Sequence, residues 1–377
     1  MEFNELLKTM VKADASDMFV TAKLPVSAKI NGELRPIDAQ VLTPEQSLAL
    51  VHFSMNNKQR RQFDEEKECN YAIFIDGIGR FRVSAFWQRD MAGMVLRRIV
   101  TDIPDVDKLG LPPVLKDIIM SKRGLVLFVG GTGTGKSTSM ASLINHRNHN
   151  SHGHILTIED PIEFVHEHGK SMITQREVGL DTESFDAALK SSLRQAPDVI
   201  LIGEIRSQET MEHALSFAET GHLCIATLHA NNANQAIDRI MHLVPAEQHG
   251  KLLFDLALNL RGIVAQQLIP TKDGKSRVAA IEVLLNSPYI AELIKKGEIG
   301  GIKEVMQKST ELGMQTFDQA LFKLYEQGLI LYADALHHAD SANDLRLMIK
   351  LHSNDHSDLD ALSGMTIEGL EPDENGM

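Results

Sequence analysis

The segment GLVLFVGGTGTGKST, residues 124–138, joins a short apolar run to a glycine-rich loop and then to a helical pattern. Gly130–Ser137 fits G-x-x-x-x-G-K-[ST], the phosphate-binding loop. Glycines let successive backbone N–H groups turn inward around phosphate oxygens, and the following helix adds its positive end. This context demands a strand before the loop and a helix after it, which confines the chain to folds with a parallel sheet. Gly130, Gly131, Thr132, Gly133, Thr134, Gly135, Lys136, Ser137 and Thr138 are therefore expected to hold a nucleotide. Lys136 would reach the β- and γ-phosphates of ATP, and Ser137 would ligate Mg2+.

The surrounding text agrees. From Leu115 to about Arg346, GLVLFVG, HILTIED, DVILIGE, LCIATLHA and RVAAIEVLL alternate with helical stretches. That pattern predicts an α/β fold with a largely parallel sheet flanked by helices. Residues 1–100 read as a separate α/β unit. FNELLKTMVKADASD has helical spacing, and DMFVT, VSAKING and GRFRVSAFWQR read as strands. Residues 101–114, with three prolines, read as a linker, residues 115–350 as the ATPase domain, and residues 351–377, with seven acids and no Lys or Arg, as a disordered acidic tail. Thr316 with Gln319 and Ser341 with Asp344 mark the starts of two closing helices.

Composition excludes some classes. A net charge of −13 argues against a nucleic-acid or anionic-membrane binder, which would reward clustered Lys and Arg. The opening MEFNELLKTM carries acids where a signal peptide needs positive charge, which argues against export. No apolar run reaches the roughly 20 residues of a membrane span, so no direct membrane insertion is expected. Cys69 and Cys224 lie too far apart to suggest a zinc knuckle or a disulfide framework, and read as reduced core thiols. The tract HRNHNSHGH, His146–His154, has no acid or cysteine to complete a metal set and reads as a helix end and loop.

Other residues must meet the nucleotide. In parallel sheets the chemistry lies at the carboxyl ends of strands. In PDVILIGE, Asp198 and Glu204 differ by about 20 Å along the strand, so only Glu204 can approach the phosphates. Glu204 takes the role of holding Mg2+ through water, and Asp198 that of a structural cap. TIEDPIE ends another strand with acids around a proline. Glu163, with Glu159 as substitute, is the expected general base. His222 and His229 flank one short strand and could contact phosphate. GRFRV puts Arg80 and Arg82 on one face of a strand, and LRRI adds Arg97 and Arg98. An arginine there could reach developing charge on a γ-phosphate.

GGTGTGKST, TIEDPIEF, LRQAPDVILIGEIR, ETGHLCIATLHANN and GMQTFDQAL, in this order, resemble the secretion ATPase superfamily, and within it the type IV pilus retraction ATPases of the PilT/PilU group. The resemblance covers Met1 to about Lys350. It implies an N-terminal PAS-like α/β domain, a C-terminal RecA-like P-loop ATPase domain and a cytoplasmic homo-hexamer. It further implies docking at the pilus base on an inner-membrane platform protein, and ATP hydrolysis that drives pilus retraction and twitching motility. It assigns Lys136 and Ser137 to Walker A, Glu204 to Walker B, Glu163 to catalysis, His222 and His229 to the histidine box, and Arg80, Arg82 and Arg97 to the N-terminal arginines. The group's A-I-R-N-L-I-R-E segment corresponds here to YIAELIKKGEI, where Lys295 and Lys296 stand in place of Arg and Glu. With the acidic tail, that departure is similar to the PilU-like accessory branch, which works beside a PilT-like ATPase. Two other readings compete with the motor: a nucleotide-binding scaffold ring coupling a partner motor to the pilus machine, and a nucleic-acid translocase. An extension motor is disfavoured because its tetracysteine zinc site is missing.

Overall fold

A computed structural model of the chain describes residues 2–30, 32–99 and 102–352. These residues form two compact units. The first holds Met1–Ile103, Asp160–Glu167 and Gln175–Ser184; the second holds Pro104–Glu159, His168–Thr174 and the described residues from Phe185 to His352. Both returns of the chain to the first unit fall where the sequence reads as one continuous ATPase domain. The helix Ala342–His352 runs two residues past Lys350, and the remainder of the expected tail lies outside the described residues.

The first unit is built on six strands: β1 (Asp17–Thr21), β2 (Pro25–Ile30), β3 (Glu33–Val41), β4 (Glu68–Ile75), β5 (Gly79–Gln88) and β6 (Met91–Ile99). Their order is β3-β2-β1-β6-β5-β4, with every neighbour antiparallel. On β5, Phe81, Val83 and Ala85 are buried while the residues between them are more exposed, the alternation of a sheet covered on one face. They share a core with Leu6, Leu7 and Met10 of helix Phe3–Lys12 and with Met94 and Leu96 of β6. Two further helices, Pro44–Phe53 and Asn57–Glu66, escape a periodicity search. Asn57–Glu66 buries only Phe63, so it has no apolar stripe. Its start is nonetheless written locally, because Asn56 and Gln59 form a complete capping box.

The second unit carries β7 (Gly124–Val129), β8 (Gly153–Glu159), β9 (Ser171–Glu177), β10 (Val199–Ile202), β11 (Leu223–Leu228), β12 (Leu260–Pro270) and β13 (Arg277–Leu285). The sheet order is β13-β12-β7-β11-β10-β8-β9. Strands β12, β7, β11, β10 and β8 run parallel, and β13 returns antiparallel beside β12. All residues of β7, β10 and β11 are buried, as expected of central strands covered on both faces. That is why they read as continuous apolar runs. Cys69 and Cys224 are both buried and unbridged. Thr316 and Gln319 form both halves of a capping box at helix Phe317–Glu326. Ser341 Oγ accepts the Asp344 N–H at 3.3 Å, one half of that pattern. Among the described residues no helix is long and apolar enough to cross a membrane.

Candidate functional site

The phosphate loop follows β7 and opens the helix Lys136–Asn150, as its motif requires. Gly130, Gly133 and Gly135 have φ of +151°, +76° and +85°, conformations that side chains rarely adopt. Space enforces the same choice at two of them. A Cβ on Gly130 would stand 2.7 Å from the Gln266 carbonyl oxygen, and one on Gly135 would stand 2.8 Å from Gln266 Nε2. Gln266, 2% exposed on β12, also accepts from Ser139 Oγ at 2.9 Å and so braces the loop from the neighbouring strand. No motif marks it in the sequence; its role arises from the β12–β7 pairing. Gly135→Ala is expected to weaken nucleotide binding about tenfold or more, the equivalent of the roughly 1.4 kcal/mol that a strained φ can cost. Titration with a fluorescent ADP analogue reads this directly, and an unchanged Kd would show that the brace yields.

Lys136 lies across the loop, its Nζ donating to the carbonyls of Gly130 at 2.9 Å and Gly131 at 2.7 Å. Ser137 and Thr138 occupy the first turn of the helix, and neither is fully buried. Glu204 lies two residues past β10 with its side chain 18% exposed. Arg206 Nε donates to its Oε2 at 2.8 Å, and His229 Nε2 stands 3.2 Å from its Oε1. Asp198 is at the other end of β10, where its Oδ2 accepts the His154 N–H at 2.8 Å, a cap joining two strand starts. His229, Asn231, Gln235 and Arg239 line a cavity of about 360 Å3 together with Gly130 and Gly131. The second unit thus brings the loop, Glu204 and His229 to one edge of its sheet.

His222 does not join them within the chain. It precedes Leu223, which pairs with Gly124 at the amino end of β7, whereas Leu228 pairs with Val129 beside the loop. The two histidines are separated by the length of β11, about 20 Å. His222 instead stands 3.1 Å from Thr220 Oγ1 and 3.2 Å from the Phe217 carbonyl through Nδ1. Of the two histidines that could contact phosphate, His229 is the one at the phosphate-loop end of β11 in this chain. In the histidine tract, His154 contacts the Gln195 carbonyl at 2.9 Å and Thr174 Oγ1 at 2.9 Å, so it acts as a cross-strand tie.

Glu163, Arg80, Arg82 and Arg97 belong to the first unit. Arg82 faces Arg97 across β5 and β6, and Arg80 is two residues along the same strand face. Arg97 donates to Asp17 at 2.8 Å, and Arg98 to Asp14 at 3.0 Å. Two chain segments complete the group. Arg82 Nη2 donates to the Ile162 carbonyl at 3.4 Å, and Arg80 Nη2 lies 3.7 Å from Glu177 Oε2. The same Glu177 oxygen accepts the Ile162 N–H at 3.3 Å. Burial pushes the Arg82 guanidinium below its usual range, while Glu177, Glu163 and Asp160 pull it back. Glu177, 4% exposed, is raised above the usual carboxylate range by burial, against the pull of Arg82 and Arg80. Sequence reading missed Glu177, because a single acid in SMITQREVG carries no local signal. Glu163 itself is exposed.

Residues 2–321 match the family described as Type II/IV secretion system protein. The chain belongs to that family. Within it, the chain is 62% identical over 370 residues to the type IV pilus ATPase PilU of Pseudomonas aeruginosa, covering 98% of this chain and 96% of that one. It is 42% identical over 330 residues to the type IV pilus retraction ATPase PilT of the same organism, covering 88% and 96%. The crystal structure of the pilus retraction motor PilT with bound ADP matches with a TM-score of 0.87 at 40% identity, covering 92% of this chain and all of that one. The Legionella pneumophila ATPase DotB matches with a TM-score of 0.75 at 26% identity, covering 93% and 96%. This member of the Type II/IV secretion system family falls in its PilT/PilU group, with an N-terminal α/β domain followed by a RecA-like ATPase domain.

Its YIAELIKKGEI segment forms the helix Pro288–Lys296. Lys296 pairs with Glu292 at 3.2 Å, and Lys295 Nζ lies 5.2 Å from the centre of the Phe254 ring. Both lysines of this family member therefore have local partners for the charge that distinguishes its segment.

Proposed function

We propose that this chain is an ATP-hydrolysing motor subunit that powers or assists type IV pilus retraction, and hence twitching motility, as an accessory motor beside a PilT-like ATPase. The carrying observation is the meeting of Lys136, the glycine loop, Glu204 and His229 at one sheet edge, in a chain alignable end to end with a pilus ATPase. ATP is the substrate. The glycine φ values and the tight space at Gly130 and Gly135 fit a backbone cradle for its phosphates.

Lys136 would exchange its two carbonyl partners for β- and γ-phosphate oxygens, which offer stronger, charge-assisted bonds. Ser137 and Glu204 present the hydroxyl and carboxylate that suit Mg2+, a hard cation with oxygen ligands. When bound, the metal would withdraw charge from the phosphates. Glu163 would align and deprotonate the attacking water. Arg80, Arg82 and Arg97 would supply positive charge toward a nucleotide, in a homo-hexamer whose ring docks on an inner-membrane platform protein from the cytoplasm. Glu177 holds Arg80 and Arg82 in register for that task. His229, in contact with Glu204, is the group best placed to respond when the γ-phosphate leaves.

The test compares Glu163→Gln and Glu204→Gln with wild type. Both should bind a fluorescent ATP analogue within about threefold of wild type and lose about a hundredfold or more in phosphate release, Glu163→Gln by removing the general base and Glu204→Gln by removing a carboxylate that would hold the metal. Loss of binding together with turnover would reassign those carboxylates. Returned to cells lacking the chain, either variant should fail to restore retraction under load. Restoration by an inactive variant would favour the scaffold ring, and stimulation by DNA would favour a translocase.

A further inference from the structure

The second unit contains a buried carboxylate that the nucleotide chemistry does not use. Glu282 lies on β13, 2% exposed, opposite Ala265 of β12. Its Oε1 accepts the Ala233 N–H at 2.7 Å, and the Phe317 backbone also favours its charged form. Ala233 and Phe317 are the first residues of helices Ala233–Met241 and Phe317–Glu326. The carboxyl therefore holds the positive end of helix Ala233–Met241 and is influenced by that of helix Phe317–Glu326.

Asp340 and Lys303 act on its charge, and Asp318 lies beside Lys303. Lys303 Nζ lies 3.0 Å from Asp340 Oδ2 and 3.7 Å from Asp318 Oδ2. Asp318, fully buried, accepts the N–H groups of Asp340 at 2.9 Å and Ser341 at 3.4 Å, where the closing helix Ala342–His352 begins. Asn232, the N-cap of helix Ala233–Met241, reaches both Asp340 oxygens at 3.4 Å. Asp340 and Asp318 thus share one ammonium, whose charge also reaches Glu282. Burial pushes Glu282 up to about 7, with Asp340 adding to the rise and Ala233, Lys303 and Phe317 opposing it. On the other side, only Ala230–Asn232 separate Ala233 from His229, whose Nε2 stands 3.2 Å from Glu204.

We propose that Glu282 is a positioning residue for His229: it fixes the start of helix Ala233–Met241, so that the His229–Glu204 contact keeps its geometry, and it ties that segment to the C-terminal helices through Lys303, Asp318 and Asp340. The inference rests on the ATPase reading of the site. Glu282 touches no substrate atom. It acts by holding a backbone N–H, and a charged carboxylate holds that N–H more strongly than a protonated one. Wild-type turnover should therefore contain a component that rises as pH passes from about 6 to about 8.

The test uses the full chain with Glu282→Gln, His229→Ala and the double variant. Glu282→Gln should lower kcat about tenfold with KM for ATP held within about twofold, the signature of a displaced group rather than lost binding. It should also lack the rising pH component. The double variant should be no slower than His229→Ala alone, because both changes act through one contact. Hydrogen exchange should quicken in residues 230–241 and stay unchanged in 136–150. Multiplying losses in the double variant, an unaltered pH profile, or quickened exchange throughout the chain would each overturn the proposal. If Glu282→Gln does not fold, Asp340→Asn decides: it should move the rising component to lower pH, because Asp340 adds to the rise of Glu282, and quicken exchange in residues 230–241, and an unmoved profile with unchanged exchange overturns the proposal. If the wild type hydrolyses no ATP, the motor reading fails, and exchange in residues 230–241 alone decides the role of Glu282.

Discussion

Lys136→Ala should reduce ATP turnover about a hundred- to a thousandfold, the range for removing a preorganised charge from a transition state. The size follows from where the ammonium lies. Lys136 is the first residue of its helix, and its Nζ already lies over the loop, within 2.9 Å of the Gly130 and Gly131 carbonyls. Little further ordering is needed to meet a phosphate. Alanine is a strong helix former, so the helix Lys136–Asn150 should persist and the circular dichroism spectrum should match wild type. Lys136→Arg should rescue little, because a planar fork replaces a compact point charge in a loop closed on one side by Gln266. Steady-state phosphate release against ATP concentration is the measurement. Retention of more than about a tenth of wild-type kcat/KM would mean that Lys136 does not hold the reacting phosphates.

The second large effect concerns stability. Glu177→Leu should destabilise the chain by about 3 kcal/mol, the lower end of the range for stripping one partner from a buried ion pair. Glu177 is 4% exposed, and its removal takes the acceptor from the Ile162 N–H and the counter-charge from Arg80 and Arg82. Arg82, with Arg97 opposite it, would then lose its strongest opposite charge and keep only the weaker pull of Glu163 and Asp160. Glu177→Leu combined with Arg82→Met should recover much of the loss, since burial opposes both charges and a well-packed apolar pair avoids that cost. Urea denaturation of the three variants checks the cycle. A single-variant loss below about 1 kcal/mol would place Glu177 among exposed pairs of little consequence.

The parts of this site that were legible in the sequence share one property: their chemistry is local. The phosphate loop can be read because glycine conformations and a helix start are written in consecutive residues. Glu204 can be read because a strand of known rise separates it from Asp198, and one end of that strand must be the chemical end. The central strands β7, β10 and β11 were evident as apolar runs, since burial on both faces removes any need for alternation. The two short helices of the first unit were not, because Asn57–Glu66 buries a single side chain and is specified by its cap. The histidine pair could not be ordered for a related reason. A spacing of seven residues says nothing about which end of a parallel strand faces the nucleotide, until β11 is set in register against β7.

Sequence alone determined the family, the loop and the parallel sheet, because each depends on residues close together in the chain or on strand length. Tertiary structure decided everything that depends on partners distant in the chain. Gln266 on β12 braces the loop that follows β7, Glu177 neutralises Arg80 and Arg82 from a returning segment, and Glu282 holds the start of a helix 49 residues earlier in the chain. A lone buried Gln or Glu has no pattern of its own. Its meaning lies in the N–H groups and charges that folding brings to it, since in a low-dielectric interior those partners, rather than water, set what a polar group does.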